Sequence, residues 1–226
     1  MVGVFHSVVD LLFPADCAGC GDPADTLCAR CRRRFAGPHA AVRRSGSAGL
    51  PLTVTAASYD GPVRAALLAY KERGRRDLAG PLGAALAGAV AAVVATAGEP
   101  TAGVVGLVPV PSRRRAARRR GGDHVARLAR RAAADLCASG RPAAVVELVR
   151  LRGSPRDSAG LDAAARVLNV AGCFGLDPVR FAGAAACGAL VVVDDIVTTG
   201  ATLAEVTRAM SAAGLPACGA AVLAAA

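Results

Sequence analysis

The segment 190–202, LVVVDDIVTTGAT, constrains the fold of this chain more than any other part of the sequence. Residues 190–193 are continuously apolar, which is typical of a strand buried on both faces, as in a parallel sheet. Two acids, Asp194 and Asp195, follow at the carboxyl end of the strand, where open α/β sheets bind their ligands. We expect an apolar helix over residues 203–213, so the segment predicts a strand, a ligand-binding loop and a helix.

The loop between this strand and helix has the composition of a phosphate site. Its backbone N–H groups and hydroxyls can surround a phosphate at the amino end of the helix. Acids beside such a cradle suit a ligand that also presents sugar hydroxyls or a divalent cation. An ordinary acidic turn is the alternative, but a plain turn requires neither two acids nor three threonines. The candidate ligand residues are Asp194, Asp195, Thr198, Thr199, Gly200, Ala201 and Thr202.

A second pattern, near the amino terminus, consists of two C-x-x-C pairs. Four thiolates are the ligand set of a closed, tetrahedral structural zinc site, and here they would come from Cys17, Cys20, Cys28 and Cys31. Gly19 and Gly21 would relieve the backbone where it curls around the metal. Two disulfides would require an oxidising compartment, and we recognise no secretory signal. A redox C-x-x-C is expected once rather than twice. We therefore expect structural Zn²⁺ and a reducing, cytoplasmic location.

The rest of the chain alternates between strand and helix patterns. We expect strands near 52–59, 104–110, 143–149 and 218–224, and helices near 63–73, 78–98 and 121–138. This alternation predicts an α/β fold, with a mostly parallel sheet flanked by helices. Residues 1–37 would hold an entry helix and a small zinc-binding module, residues 38–51 a linker, and residues 52–226 the main domain.

The uncharged stretch 78–98 is long enough to span a bilayer. It is dominated by Ala and Gly, however, which have little affinity for lipid. Leu82, Leu86, Ala89 and Val93 recur at helical spacing. We interpret the stretch as a buried core helix and expect no membrane insertion.

The chain is basic, with a net charge of +10, and six arginines fall within residues 113–120: Arg113, Arg114, Arg115, Arg118, Arg119 and Arg120. These arginines could bind a phosphorylated ligand beside Pro111, contact a nucleic-acid backbone with strong salt dependence, or form a solvated face. With 3% aromatic residues, stacking of single-stranded bases has little support. Lys71 is the only lysine, which favours a compact ammonium that binds phosphate. A solvated helix end explains Lys71 equally well.

The order of strand, paired acids, Thr/Gly loop and helix resembles the phosphoribosyl-diphosphate (PRPP) motif of type I phosphoribosyltransferases. The resemblance implies that Asp194 and Asp195 hold the ribose 2- and 3-hydroxyls while the following loop grips the 5-phosphate. Ala201 stands where many members have a second glycine. The likeness of the loop at Pro111 and Ser112 to the ligand loops of the fold extends the predicted PRPP site to them, and Lys71 is added as the lone lysine. The resemblance also implies that Mg²⁺ bridges the diphosphate and ribose oxygens.

Together with the four-cysteine module, nearly the whole chain is similar to the ComF/ComFC family. That family pairs a small zinc module with a phosphoribosyltransferase-type domain and is associated with bacterial DNA uptake. The blocks 108–112 and 150–174 carry the similarity through the middle of the chain, where Arg166 and Asn169 fit the family. Residues 120–124 read RGGDH where members commonly have RGFNQ, and we interpret His124 as capping or packing against a helix start.

Three functions follow from these resemblances. The first is transfer of a phosphoribosyl group to a nitrogen nucleophile, with residues 152–166 as a flap that excludes water. The second is non-catalytic binding of PRPP or a ribose-5-phosphate nucleotide by a protein that handles DNA. The third is an adaptor whose zinc module and arginine run bind single-stranded DNA, or DNA-uptake or recombination proteins.

Overall fold

The computed structural model describes residues 16–23, 25–37, 40–41, 49–98, 103–112, 122–152 and 168–226. The predicted entry helix, most of the predicted linker, the arginine run 113–120 and most of the predicted flap lie outside these residues. The elements below are numbered along the described part of the chain.

Within the described residues, the main sheet has six strands, five of them parallel. In the order in which they lie side by side, they are β1 (Ala40–Ala41), β2 (Thr53–Ser58), β8 (Gly219–Ala225), β7 (Ala189–Val197), β3 (Val105–Pro109) and β4 (Ala143–Val145). Only the edge pair β1–β2 is antiparallel. A separate antiparallel pair is formed by β5 (Val149–Leu151) and β6 (Phe174–Leu176).

Helices cover both faces of the main sheet. The α-helices whose bounds lie within the described residues are α1 (Ala29–Arg33), α2 (Gly61–Glu72), α3 (Ala79–Thr96), α4 (His124–Ala138), α5 (Pro178–Ala185) and α6 (Ala201–Ala212). A 3-10 turn (Arg76–Leu78) leads into α3, and residues 168–170 are also helical. Helices α2, α3 and α4 share one apolar cluster with Val191 and Val193 of β7. Helix α6 and the β5–β6 pair share the other cluster with Leu190 and Val192. Strand β7 is therefore buried on both faces, and the predicted α/β fold with a mostly parallel sheet is confirmed.

Helix α3 is the stretch whose length and hydropathy alone would also suit a membrane span. The run Arg76–Thr96 reaches a mean hydropathy of 2.0. The four residues that recur at helical spacing, Leu82, Leu86, Ala89 and Val93, are all 0% exposed. At Gly83, an added Cβ would lie 2.4 Å from Cγ of Arg131 on α4, so this small residue allows the two helices to approach closely. The prediction of a buried core helix is confirmed.

The four-cysteine segment packs on the body of the protein. Leu27 and Phe35 are 0% and 2% exposed and belong to the same apolar cluster as α2 and α3. Nη1 of Arg75 donates a hydrogen bond to the backbone carbonyl of Asp16 at 3.1 Å. The domain boundaries at residues 37 and 51 remain predictions.

One predicted strand was wrong in extent. The apolar run 143–149 forms two strands, because the chain leaves the main sheet after β4 and enters the small sheet as β5. Between residues 171 and 189 the sequence pattern predicts no element, yet β6 and α5 lie there. Asp177 caps helix α5, because its Oδ1 accepts from the N–H of Val179, and Pro178 is the first residue of the helix. This Asp-Pro pair is a start signal that would have found the helix.

Candidate functional site

The four cysteine sulfurs near the amino terminus converge on one point. All four Sγ atoms lie within 4.8 Å of one another, and Sγ of Cys20 lies 3.7 Å from Sγ of Cys28. A tetrahedral zinc site with Zn–S bonds of about 2.3 Å requires sulfurs roughly 3.8 Å apart. The cluster can therefore hold a zinc ion through Cys17, Cys20, Cys28 and Cys31, and all eight cysteines of the chain are free thiols.

The groups around these four sulfurs favour a bound metal ion. Burial opposes ionisation of Cys17, but backbone N–H groups, first that of Cys28, point at its sulfur and lower its pKa to about 6. Burial and the neighbouring sulfurs raise the pKa of Cys31 well above its usual range, so a full set of thiolates here requires a cation. A Cβ on Gly19 would lie 2.9 Å from Sγ of Cys31, and Gly21 has a φ of +78°. Gly21 therefore relieves the backbone as predicted, whereas Gly19 is required by the close approach of Cys31.

The paired acids lie in β7 at the edge of the main sheet where the parallel strands end. Strand β3 pairs with β7 up to Pro109 and Val193, and β7 continues alone beside β8 to Val197. The acids therefore stand within the extended end of β7 rather than after it. The loop that follows β3 reaches the same edge, where the ring of His124 contacts both Ser112 and Asp195.

Asp195 is 5% exposed and is held by three protein groups. Its Oδ2 lies 2.8 Å from Nζ of Lys71 and 2.8 Å from Nε2 of His124, and its Oδ1 accepts from the N–H of Ile196 at 2.8 Å. Burial alone would raise the pKa of Asp195. The hydrogen bond to His124 and the charge of Lys71 outweigh burial and hold the pKa well below its ordinary value. Asp195 is therefore ionised at neutral pH.

Asp194 has a different environment. It is half-buried, and its Oδ1 accepts the N–H of Asp195 at 2.8 Å. Burial, and then the negative charge of Asp195, raise the pKa of Asp194 well above its ordinary value. An ionised carboxylate there is costly until a hydroxyl or a cation approaches it. Of the two acids, Asp194 is the one arranged to gain from a ligand.

The loop after β7 makes a tight turn into α6. Thr198 is exposed, Thr199 is half-buried, and Gly200 caps the helix in a left-handed conformation with a φ of +81°. A Cβ on Gly200 would lie 2.6 Å from Cδ1 of Leu50, so both backbone conformation and space require glycine. Helix α6 begins at Ala201 rather than at residue 203, so the predicted loop residues Ala201 and Thr202 are in its first turn.

The structure brings Lys71 and His124 into this site from distant parts of the sequence. Lys71 is in the last turn of α2 and extends to Asp195, so it is not a solvated helix end. His124 is the first residue of α4, but Asp123 caps the helix, with its Oδ1 accepting from the N–H groups of Val125 and Ala126. Of the two predicted roles, capping belongs to Asp123, while His124 packs at the helix start and its ring also bonds to two site residues. The Asp before His124 was a usable signal for the true cap.

The remaining predicted site residues divide into two groups. Pro111 and Ser112 are half-buried and adjoin the end of β3. The six arginines Arg113, Arg114, Arg115, Arg118, Arg119 and Arg120 lie outside the described residues, so contact with nucleic acid stays a prediction. No protein-family model matches the chain, and no curated protein is similar to it at a significant level.

Proposed function

We propose that this chain binds PRPP at the end of β7, as a phosphoribosyltransferase-like protein. The observation that carries the proposal is the arrangement at one sheet edge. A half-buried carboxylate of raised pKa, that of Asp194, lies in the end of the strand that leads through a tight Thr/Gly loop into a twelve-residue helix. A sugar phosphate has the two matching parts, because its hydroxyls suit the carboxylate and its phosphate suits the loop and the helix N-terminus.

The two acids have different parts in this proposal. Asp194 would accept hydrogen bonds from the ribose hydroxyls, since its Oδ1 has one backbone partner and its charge is otherwise costly. Asp195 would fix the frame of the site through Lys71 and His124. Residues 198–202 would surround the 5-phosphate. The diphosphate would face Ser112 and Lys71, which lie on the Asp195 side of the strand end.

If the site transfers the phosphoribosyl group, the chain supplies charge and position rather than a covalent nucleophile. Displacement of diphosphate from the ribose C1 develops positive charge on the ring, which nearby carboxylates stabilise. PRPP would enter as its Mg²⁺ complex, because diphosphate oxygens are the hard ligands that Mg²⁺ prefers. Binding and turnover are separate claims, and release of diphosphate in the presence of a nitrogen nucleophile is the assay for turnover.

The family assignment is also part of the proposal. A cysteine cluster that can hold zinc, joined to a mostly parallel α/β domain with this motif, supports membership of the ComF/ComFC family. A role in DNA uptake or nucleotide metabolism would follow from that membership. In either role, we propose that the protein binds zinc and works in the cytoplasm.

Calorimetric titration of zinc-loaded protein with PRPP in Mg²⁺ tests the proposal. We expect saturable binding by the wild type and at least tenfold weaker binding by Asp194→Asn, a loss of about 1.4 kcal/mol. Glu147→Gln is the matched control, because it makes the same carboxylate-to-amide change at an exposed ion pair with Arg130. Equal binding by Asp194→Asn, or no binding by folded wild type, would contradict the proposal.

A further inference from the structure

His124 connects the two sides of the proposed site. Its side chain is 5% exposed, its Nε2 lies 2.8 Å from Oδ2 of Asp195, and its Nδ1 lies 3.1 Å from Oγ of Ser112. One imidazole therefore joins the loop after β3 to the acid pair of β7. The chain of contacts runs from Lys71 through Asp195 and His124 to the half-buried hydroxyl of Ser112.

Further hydrogen bonds hold the backbone of His124 and the loop that carries Ser112. The hydroxyl of Tyr70 on α2 donates to the backbone carbonyl of His124 at 3.0 Å. The backbone N–H of Ser112 donates to Oδ2 of Asp123 at 2.6 Å, which fixes the Ser112 loop against the start of α4. With the backbone positions of His124 and Ser112 held in this way, the Ser112 hydroxyl can rotate and Nδ1 can be protonated without any change in the fold.

The hydrogen positions follow from the charge on Asp195. An ionised carboxylate only accepts hydrogen bonds, so Nε2 of His124 carries a hydrogen and donates it to Asp195. When His124 is neutral, its Nδ1 has a lone pair and Ser112 must donate its hydroxyl hydrogen inward. When His124 is protonated, Nδ1–H donates to Oγ, and the hydroxyl hydrogen of Ser112 is released to point at a ligand.

We propose that His124 is a positioning residue that turns the Ser112 hydroxyl toward an anionic phosphate or diphosphate oxygen and takes up a proton as that anion binds. The inference rests on the proposed function, and it assigns to His124 a coupling between ligand and proton. The proton comes from solvent, goes to Nδ1, and leaves again when the ligand dissociates.

Some charged groups around His124 favour the protonated imidazole and others oppose it. Asp195 on β7, Asp123 at the preceding position of the chain, and an incoming phosphate all favour the protonated imidazole. The ammonium of Lys71 on α2 opposes it, because it shares Oδ2 of Asp195 with the imidazole. Arg127, one turn along α4, interacts with the Tyr70 hydroxyl and adds a second positive charge. A bound anion shifts this balance toward the protonated state.

The test is calorimetric titration of the zinc-loaded full chain with PRPP and Mg²⁺ in two buffers of different ionisation enthalpy, between pH 6 and 8, where imidazoles titrate. The difference between the two heats gives the protons taken up on binding. His124→Gln keeps a donor and an acceptor but cannot be protonated. We expect the wild type to take up more protons than His124→Gln, while the ligand's own titration cancels in the comparison.

Ser112→Ala provides a second comparison, because it removes one half-buried hydroxyl and leaves the imidazole in place. We expect it to bind more weakly and to take up fewer protons than the wild type. If the wild type and both variants bind PRPP with the same proton uptake, the role proposed for His124 is overturned and the proposed function stands. Absence of any binding by the folded wild type would overturn the proposed function and this inference with it.

Discussion

The two adjacent acids of β7 should respond in opposite directions to the same isosteric substitution. Burial and the charge of Asp195 raise the pKa of Asp194, so ionising Asp194 costs stability in the folded protein. A raised folded-state pKa means that the contribution of Asp194 to stability is present below its unfolded value of about 4 and is lost as the pH rises. Asp194→Asn removes that charge and keeps an oxygen for the N–H of Asp195.

We expect Asp194→Asn to raise the free energy of unfolding at pH 7, because asparagine cannot carry the charge that burial and Asp195 disfavour. A gain within the roughly 0.5–2 kcal/mol that is typical of a single stabilising substitution is the predicted result, and it should shrink toward pH 4. The same substitution weakens ligand binding in our account. Stability and binding would then change in opposite directions in one variant.

Asp195→Asn should have the opposite effect on stability. The lowered pKa of Asp195 means that its contribution is present above pH about 4 and is lost only as the pH falls through its lower folded-state value. Removing one member of a buried charge pair costs about 3–5 kcal/mol. The side chain of Lys71 is 30% exposed and can be partly solvated, so we expect a loss near the lower end, about 3 kcal/mol.

Urea unfolding of the zinc-loaded wild type and both variants, at pH 7 and at pH 5, measures these differences. The expected outcome is a higher midpoint for Asp194→Asn and a lower midpoint for Asp195→Asn at pH 7, with the gain of Asp194→Asn smaller at pH 5. Changes of the same sign in both variants, or a loss of stability in Asp194→Asn, would refute the assignment of different environments to the two acids.

Two further predictions concern the metal cluster and the loop. Purified protein should contain one zinc per chain by elemental analysis, and Cys20→Ser should lose the metal together with the folded four-cysteine segment; a zinc-free but folded wild type would contradict this. Gly200→Ala should lower the free energy of unfolding by about 1–3 kcal/mol and weaken PRPP binding. Gly214→Ala is its matched control, because Gly214 also has a positive φ, of +77°, but an added Cβ there meets nothing within 4 Å. A larger effect at Gly214 would show that the contact with Leu50 is not what makes Gly200 necessary.

The local parts of the fold could be predicted because their signals are local. The buried strand, the helix after it and the spacing of the core helix α3 all repeat within a few residues. The convergence of the four cysteines follows from two short loops of fixed spacing. The predicted boundaries of these elements were still inexact, because β7 extends to Val197 and α6 begins at Ala201. Pairing with β8 extends the strand beyond its apolar run.

The contacts that complete the site depend on long-range geometry and could not be predicted. Lys71, His124 and Asp195 lie on three elements that are adjacent only because β2, β3 and β7 end at the same edge of the sheet. The cap at Asp123 is a local signal, but the bonds of the His124 ring to Ser112 and Asp195 join residues that are far apart in the sequence. The division of residues 143–151 between two sheets likewise depends on which partner strand is available.

The most direct test of the account is a backbone amide NMR titration of the zinc-loaded protein with ribose 5-phosphate. If residues 198–202 hold the phosphate at the start of α6, their amides should show the largest shift changes. The amides of Asp194 and Asp195 should follow, and Asp194→Asn should reduce all of these changes. Saturable binding whose shift changes fall elsewhere in the chain, or no change at all with folded protein, would contradict the claim that this segment is the ligand site.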